Sequence, residues 1–271
     1  MVTWLKEVFG VDKPVIAMAH MAPLPGDPLY DDQLGMKGIL EAVRKDVRAL
    51  QAGGVDGIMF SNEHSIPYST KVGPETIAAM TYIISSLQDE VKVPFGVNAL
   101  WDGIASIAIA KAVGAKFVRE VFTGVYGSDM GFWDTNCAAA LRYRKSIEAN
   151  DVKLIFNIYP EFANALAPRP LRDVAKSTIF YSLADAITVS GSAAGIETAS
   201  DILREAKAGL PESIVFCNTG VNIKNIEEKL SIADGVIIAT SLKVDGFIWN
   251  PVDPYRVEDL MNKVKKFRET L

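Results

Sequence analysis

The sequence predicts a closed (β/α)8 barrel, and three observations carry that reading. Eight short apolar runs occur, at 15–19, 55–60, 93–97, 117–121, 154–158, 186–189, 214–217 and 236–239, and the last two are unbroken rather than alternating. A parallel strand covered by helices on one face and a core on the other reads that way. The intervals between the runs carry helical spacing. One helix-to-strand joint recurs, in Gly53-Gly54-Val55-Asp56-Gly57, Val113-Gly114-Ala115-Lys116-Phe117, Leu183-Ala184-Asp185-Ala186 and Ile232-Ala233-Asp234-Gly235. A small residue closes each helix and a polar one enters the strand. At 271 residues, 49% of them hydrophobic, the chain suits one barrel over 1–271 better than two domains.

Taken in order, residues 1–13 predict a short helix with Trp4, Leu5, Val8 and Phe9 on one stripe. Lys6 and Glu7 interrupt it, so no signal-peptide core is present. The stripe is expected either to plug the barrel floor or to pack on a partner, the latter a route to a homo-oligomer. Ile39, Leu40, Val43, Val47 and Leu50 form one later helical stripe, and Ile77, Met80, Ile84 and Leu87 another. Near the end, Asp253-Pro254 reads as N-cap plus first helical residue before Val257, Leu260, Met261, Val264 and Phe267. A doubly wound open sheet is the rival fold, but no glycine-rich dinucleotide fingerprint follows the first strand and no Walker A sequence occurs.

Composition narrows the function. Twenty-eight basic against thirty-three acidic residues, with no basic block, argue against nucleic-acid binding. No run reaches the ~20 apolar residues of a membrane span. Cys137 and Cys217 lie far apart without metal-ligand spacing, which fits a reduced, cytoplasmic setting.

In such a barrel the chemistry sits where strands end. The first strand delivers His20, the second Ser61-Asn62-Glu63-His64, the third Asn98, the fourth Arg119-Glu120, the fifth Asn157 and the sixth Ser190-Gly191. Strand neighbours point to opposite faces, so Arg119 is expected inward with Phe117, and Glu120 against the helices. His20 is a candidate proton carrier or a neutral imidazole tied to loop backbone. Asn98 and Asn157 are candidates for orienting substrate hydroxyls, or for tying loops. His64 is expected partly exposed. Glu63, Asp102, Asp129, Asp134 and Glu161 are scattered carboxylates without metal-site spacing; they leave a metal-dependent hydrolase as one alternative.

The last two loops complete the site. The seventh run ends in Asn218-Thr219-Gly220 and the eighth in Thr240-Ser241-Leu242-Lys243. Small residues with free amides there, joined by Gly191 after the sixth run, predict a phosphate cradle from Gly191, Gly220, Thr240 and Ser241, with Arg119 or Lys243 as countercharge. A small phosphorylated ligand is therefore the expected partner; no cofactor is named by any motif.

Several stretches resemble the BtpA family, in particular its SgcQ-like branch. They are His20-Met21-Ala22-Pro23-Leu24-Pro25-Gly26-Asp27-Pro28, Phe60-Ser61-Asn62-Glu63-His64-Ser65-Ile66-Pro67-Tyr68, Phe117-Val118-Arg119-Glu120, Trp133-Asp134-Thr135-Asn136 and Asn250-Pro251-Val252-Asp253. The resemblance implies a ribulose-phosphate-binding type of barrel whose phosphate site falls on Gly191, Thr219, Gly220, Thr240 and Ser241, with Lys243 beside it. It also implies an alternative, an assembly role like that of the photosystem branch. Ser61-Asn62 and Ser65 depart from that branch's pattern. The resulting expectation is an enzyme of isomerase, epimerase or lyase type acting on a small phosphorylated, sugar-like substrate.

Overall fold

The computed structural model describes residues 4–209 and 212–271. Helix α1 (Trp4–Phe9) precedes β1 (Val15–His20), α2 (Gly35–Ala52), β2 (Gly57–Ser61), α3 (Pro74–Leu87), β3 (Phe95–Asn98), α4 (Gly103–Val113) and β4 (Phe117–Glu120). Then come β5 (Val125–Ser128), β6 (Gly131–Asp134), α5 (Cys137–Ser146), β7 (Lys153–Tyr159), β8 (Ala163–Ala165) and α6 (Leu171–Tyr181). The chain closes with β9 (Ala186–Val189), α7 (Ser200–Gly209), β10 (Val215–Asn218), α8 (Ile226–Ile232), β11 (Gly235–Ile238) and α9 (Pro254–Arg268). Strands β1, β2, β3, β4, β7, β9, β10 and β11 pair in that order, all parallel, and β11 returns to β1. They coincide with the eight apolar runs. No described helix is long and apolar enough to cross a membrane.

Strand alternation explains where the polar groups go. Ile16, Met18, Met59, Phe117, Ile155, Ala186, Phe216 and Ile237 form the barrel's interior cluster. Two residues further along each strand the same face carries His20, Ser61, Arg119, Asn157, Thr188, Asn218 and Ala239. The interior is thus apolar at the floor and polar at the mouth. Gly96 has a packing reason: a Cβ there would meet the Phe117 ring at 2.3 Å.

Helix α1 plugs the floor. Leu5 and Phe9 belong to the interior cluster, and the Phe9 ring lies 5.6 Å from that of Phe117. The Trp4 indole N–H donates to the Asp185 carbonyl at 3.0 Å. Leu5 and Phe9 of the N-terminal stripe are therefore buried inside their own barrel, while Trp4 and Val8 stay partly exposed at its floor. The recurrent aspartates at the joints also have a mechanism. Asp56, Asp185 and Asp234 accept an amide at the start of the neighbouring strand, from Val15, Leu154 and Val215 respectively. Each also pairs with a cation from the helix layer: Arg268, Arg144 and Lys207.

One element was not foreseen. The stretch after β4 folds with β8 into an antiparallel sheet of order β6-β5-β8. Its strands have three or four residues each and no apolar run. What holds them is tertiary: Tyr126 and Trp133 pack on Leu100 and Trp101, walling one side of the mouth.

Candidate functional site

A cavity of about 280 Å³ opens at the C-terminal ends of the strands. Its deep wall carries His20, Glu63, Arg119, Glu161 and Asn218. Its outer wall is made by the loops after β10 and β11, with Thr219, Gly220, Val221, Thr240 and Ser241, and by Arg256 from the first turn of α9.

The outer wall is rich in uncommitted donors. Among the described residues no acceptor takes the amides of Gly220, Val221, Thr240 or Ser241, and the Thr240 hydroxyl is equally free. Gly220 sits at φ +64°, and a Cβ there would strike the Glu197 backbone at 2.2 Å. Only glycine fits both demands. Thr219 also takes a left-handed φ of +59°, a strained conformation of the kind that clusters at functional sites. That geometry turns its hydroxyl toward Gly191, whose amide donates to it at 2.6 Å.

Three cradle expectations are corrected here. Gly191 lies outside the cavity, its amide already bonded and its Cα pressed under Ile196. The Ser241 hydroxyl donates to the Val221 carbonyl at 2.7 Å, stitching the two loops, so only its amide remains to offer. Lys243 is buried and bonded to Asp46 of α2 at 2.8 Å. It is no free countercharge; its charge is met from the helix layer because η-type turns after β11 swing its side chain away from the mouth. Arg256, which no sequence pattern singled out, is the cation on the outer wall instead, half-exposed and 3.6 Å from its partner Asp253. A cation in the first turn of a helix opposes the macrodipole, and that misfit was the available signal.

On the deep wall Arg119 takes the interior parity and Glu120 the helix side, as alternation predicts. Arg119 is 4% exposed, and its Nε and Nη1 have no hydrogen-bond partner. Its guanidinium lies 5.6 Å from the Trp101 ring centroid, and no carboxylate of the described residues comes within ion-pair distance. Burial pushes the Glu63 carboxyl up to about 7, against the opposing pull of Arg119 and with a further push from Glu161. The Tyr68 hydroxyl donates to the Glu63 carbonyl at 2.9 Å and to its carboxyl at 3.4 Å. His20 Nε2 is 3.7 Å from Glu63 Oε2, and its Nδ1 is buried without a partner. Burial, then the charge of Lys243, holds His20 far below its ordinary range, so it is neutral. His64 is buried rather than partly exposed: it stacks on Trp249 at 4.0 Å and bonds the Ile248 carbonyl.

The two asparagines turn out to hold protein groups. Asn157 donates to Glu161 at 3.1 Å and to Ser190 at 3.0 Å, while Asn218 donates to the other Glu161 oxygen at 2.9 Å. Together they fix Glu161 against the cavity. Asn98 leans sideways, donating to the Arg119 carbonyl at 2.8 Å and to the Glu120 carboxyl. Neither Asn98 nor Asn157 lines the cavity. Of the other carboxylates, Asp102 caps α4, and no three His, Cys, Asp or Glu side chains among the described residues gather as metal ligands.

Glu120 yields a stability prediction. Buried against Ser106 of α4, it is pushed up to about 8, mainly by burial. A folded carboxyl that holds its proton this tightly stabilises fully below its unfolded pKa of ~4.5, and that contribution is lost as pH rises through about 8. Glu120→Gln keeps the shape without the charge. Urea melts at pH 5 and 8.5 should show the variant gaining on the wild type at the higher pH by up to a few kcal/mol. Parallel pH curves for the two proteins would refute the assignment.

Fold and site together define a (β/α)8 barrel with a polar, donor-rich cavity at the C-terminal mouth. The chain belongs to the BtpA family, whose sequence pattern matches residues 11–266. It is 52% identical to the sgc region protein SgcQ of Escherichia coli (strain K12), over 98% of this chain and 99% of that protein. It is 36% identical to the photosystem I biogenesis protein BtpA of Synechocystis sp., over 93% of this chain and 88% of that one. In fold it is similar to (S)-3-O-geranylgeranylglyceryl phosphate synthase from Thermoplasma acidophilum, solved with its substrate sn-glycerol-1-phosphate. The TM-score is 0.61 at 15% identity, covering 98% of this chain and 100% of the other.

Proposed function

We propose that the protein is an enzyme that moves a proton on a small phosphorylated, sugar-like substrate, in the manner of an isomerase, epimerase or lyase. One observation carries the reading: a carboxyl poised near neutrality, Glu63, faces the same small cavity as the unbonded amides of Gly220, Val221, Thr240 and Ser241. Backbone N–H groups converging from two loops bind a phosphate, and Thr240 and Arg256 add a hydroxyl and a positive charge. Glu63 then reaches the carbon skeleton as the proton carrier, because a base titrating near the working pH is both available and strong enough. Neutral His20 beside it donates or accepts a hydrogen bond at the substrate without adding charge. The phosphorylated substrate of the synthase with the similar fold supports the reading by analogy.

A thermal-shift screen over phosphorylated metabolites tests it. A ligand at 100 times its Kd adds about 2.7 kcal/mol of stability. Ser241→Asp, which fixes a negative charge in the cradle, should remove that shift. Ser241→Ala, which only breaks the stitch to Val221, should keep it. If the aspartate variant responds like the wild type, the phosphate does not sit between these loops.

A further inference from the structure

Arg119 lines the cavity with part of its guanidinium unpartnered, and its surroundings define what it lacks. It is a permanently charged group at 4% exposure, with Nε and Nη1 unpartnered. Burying a charge without a counterion costs several kcal/mol. The Trp101 ring offsets part of that at one face of the guanidinium, but it accepts none of the in-plane N–H bonds. Two carboxyls share the cavity with Arg119, and neither satisfies it. Glu161 is engaged by Asn157 and Asn218, and Glu63 by Tyr68. The other nearby cation, Lys243, is paired with Asp46, whereas Arg119 makes no ion pair among the described residues.

We propose that Arg119 receives a carboxylate of the substrate, so that the ligand is a phosphorylated sugar acid, anionic at both ends. This rests on the phosphate reading above and deepens it. The phosphate occupies the outer wall, where amides from two loops and Arg256 give the many donors a tetrahedral oxyanion takes. The deep wall offers a single planar donor, the group that matches a planar carboxylate. Glu63 and His20 lie beside Arg119, so the carbon next to the carboxylate is the one presented to the proton carrier. A carboxylate held on a guanidinium also makes that carbon's proton easier to remove, by stabilising the enolate oxygens as charge develops.

Calorimetric titration with matched pairs decides the matter. Glycerol 3-phosphate against 3-phosphoglycerate, and sorbitol 6-phosphate against 6-phosphogluconate, differ in a terminal hydroxymethyl against a carboxylate. Intermediate pairs of four and five carbons cover the lengths the cavity accepts, and inorganic phosphate is the reference. The wild type should bind at least one acid tenfold or more tighter than its alcohol partner. Arg119→Met should lose that preference while binding inorganic phosphate within threefold of the wild type; Ser241→Asp should lose both. Arg119→Lys, which keeps the charge but not the planar donor, serves if the methionine variant does not fold, and should retain only part of the preference. Equal affinities across every pair, or a preference that survives in both Arg119 variants, overturn the carboxylate assignment and leave the phosphate reading standing. Absence of binding by inorganic phosphate and by every phosphorylated probe overturns both.

Discussion

Asp46→Ala is expected to destabilise the protein by about 3–5 kcal/mol, the range for breaking a buried ion pair by removing one partner. Asp46 is bonded twice: Oδ2 to Lys243 Nζ and Oδ1 to the Val252 amide, each at 2.8 Å. Lys243 is 2% exposed, so the alanine strands a charge and a backbone N–H in the interior. The same bonds pin the segment between β11 and α9, where Lys243 and Val252 form an isolated bridge. The loss should therefore appear both as a melting temperature lower by roughly 10 °C and as faster amide exchange at 240–252. Asp46→Leu combined with Lys243→Met, which removes both charges, should recover most of the stability. A loss under about 1 kcal/mol for the single variant would show that water reaches the pair.

Glu63→Gln is expected to lower kcat by 10²–10⁴-fold with little change in KM, the usual scale for removing a positioned acid–base group. With Glu63 as the base, the wild-type rate rises with pH through about 7, and the variant lacks that limb. A second readout needs no substrate. The folded carboxyl sits at about 7 against ~4.5 unfolded, so its stabilising contribution is present below ~4.5 and lost as pH rises through 7. Above pH 7 the glutamine variant should gain stability relative to the wild type. His20 runs the opposite way: its depressed folded pKa removes stability as pH falls below ~6.5, so the difference between the two proteins, not either curve alone, isolates Glu63. An unchanged pH–rate profile in the variant would assign the proton transfer to another group.

Much of the barrel could be read from the chain because its signals are local. An unbroken apolar run, a joint closed by a small residue and a capped helix each need only a few neighbouring residues, and Asp253 does cap α9 through Tyr255 and Arg256 as expected. Period-two alternation likewise fixed the faces of Arg119 and Glu120. The β5-β6-β8 sheet was not legible, since its strands are held by Trp101 and Trp133 rather than by any pattern of their own.

The site divides along the same line. The sequence by itself determined the (β/α)8 architecture, the end of the barrel where polar groups gather, and which residue types stand there, because strand geometry delivers alternate side chains to a common mouth. Only the tertiary structure decided which of them are free. Gly191, Ser241, Lys243, Asn98 and Asn157 are engaged by Thr219, Val221, Asp46, Arg119 and Glu161, while Arg119 and four loop amides are left without acceptors. A hydrogen-bonding group's availability depends on a partner that can come from 197 residues away, as Asp46 does to Lys243, and no local pattern encodes that distance.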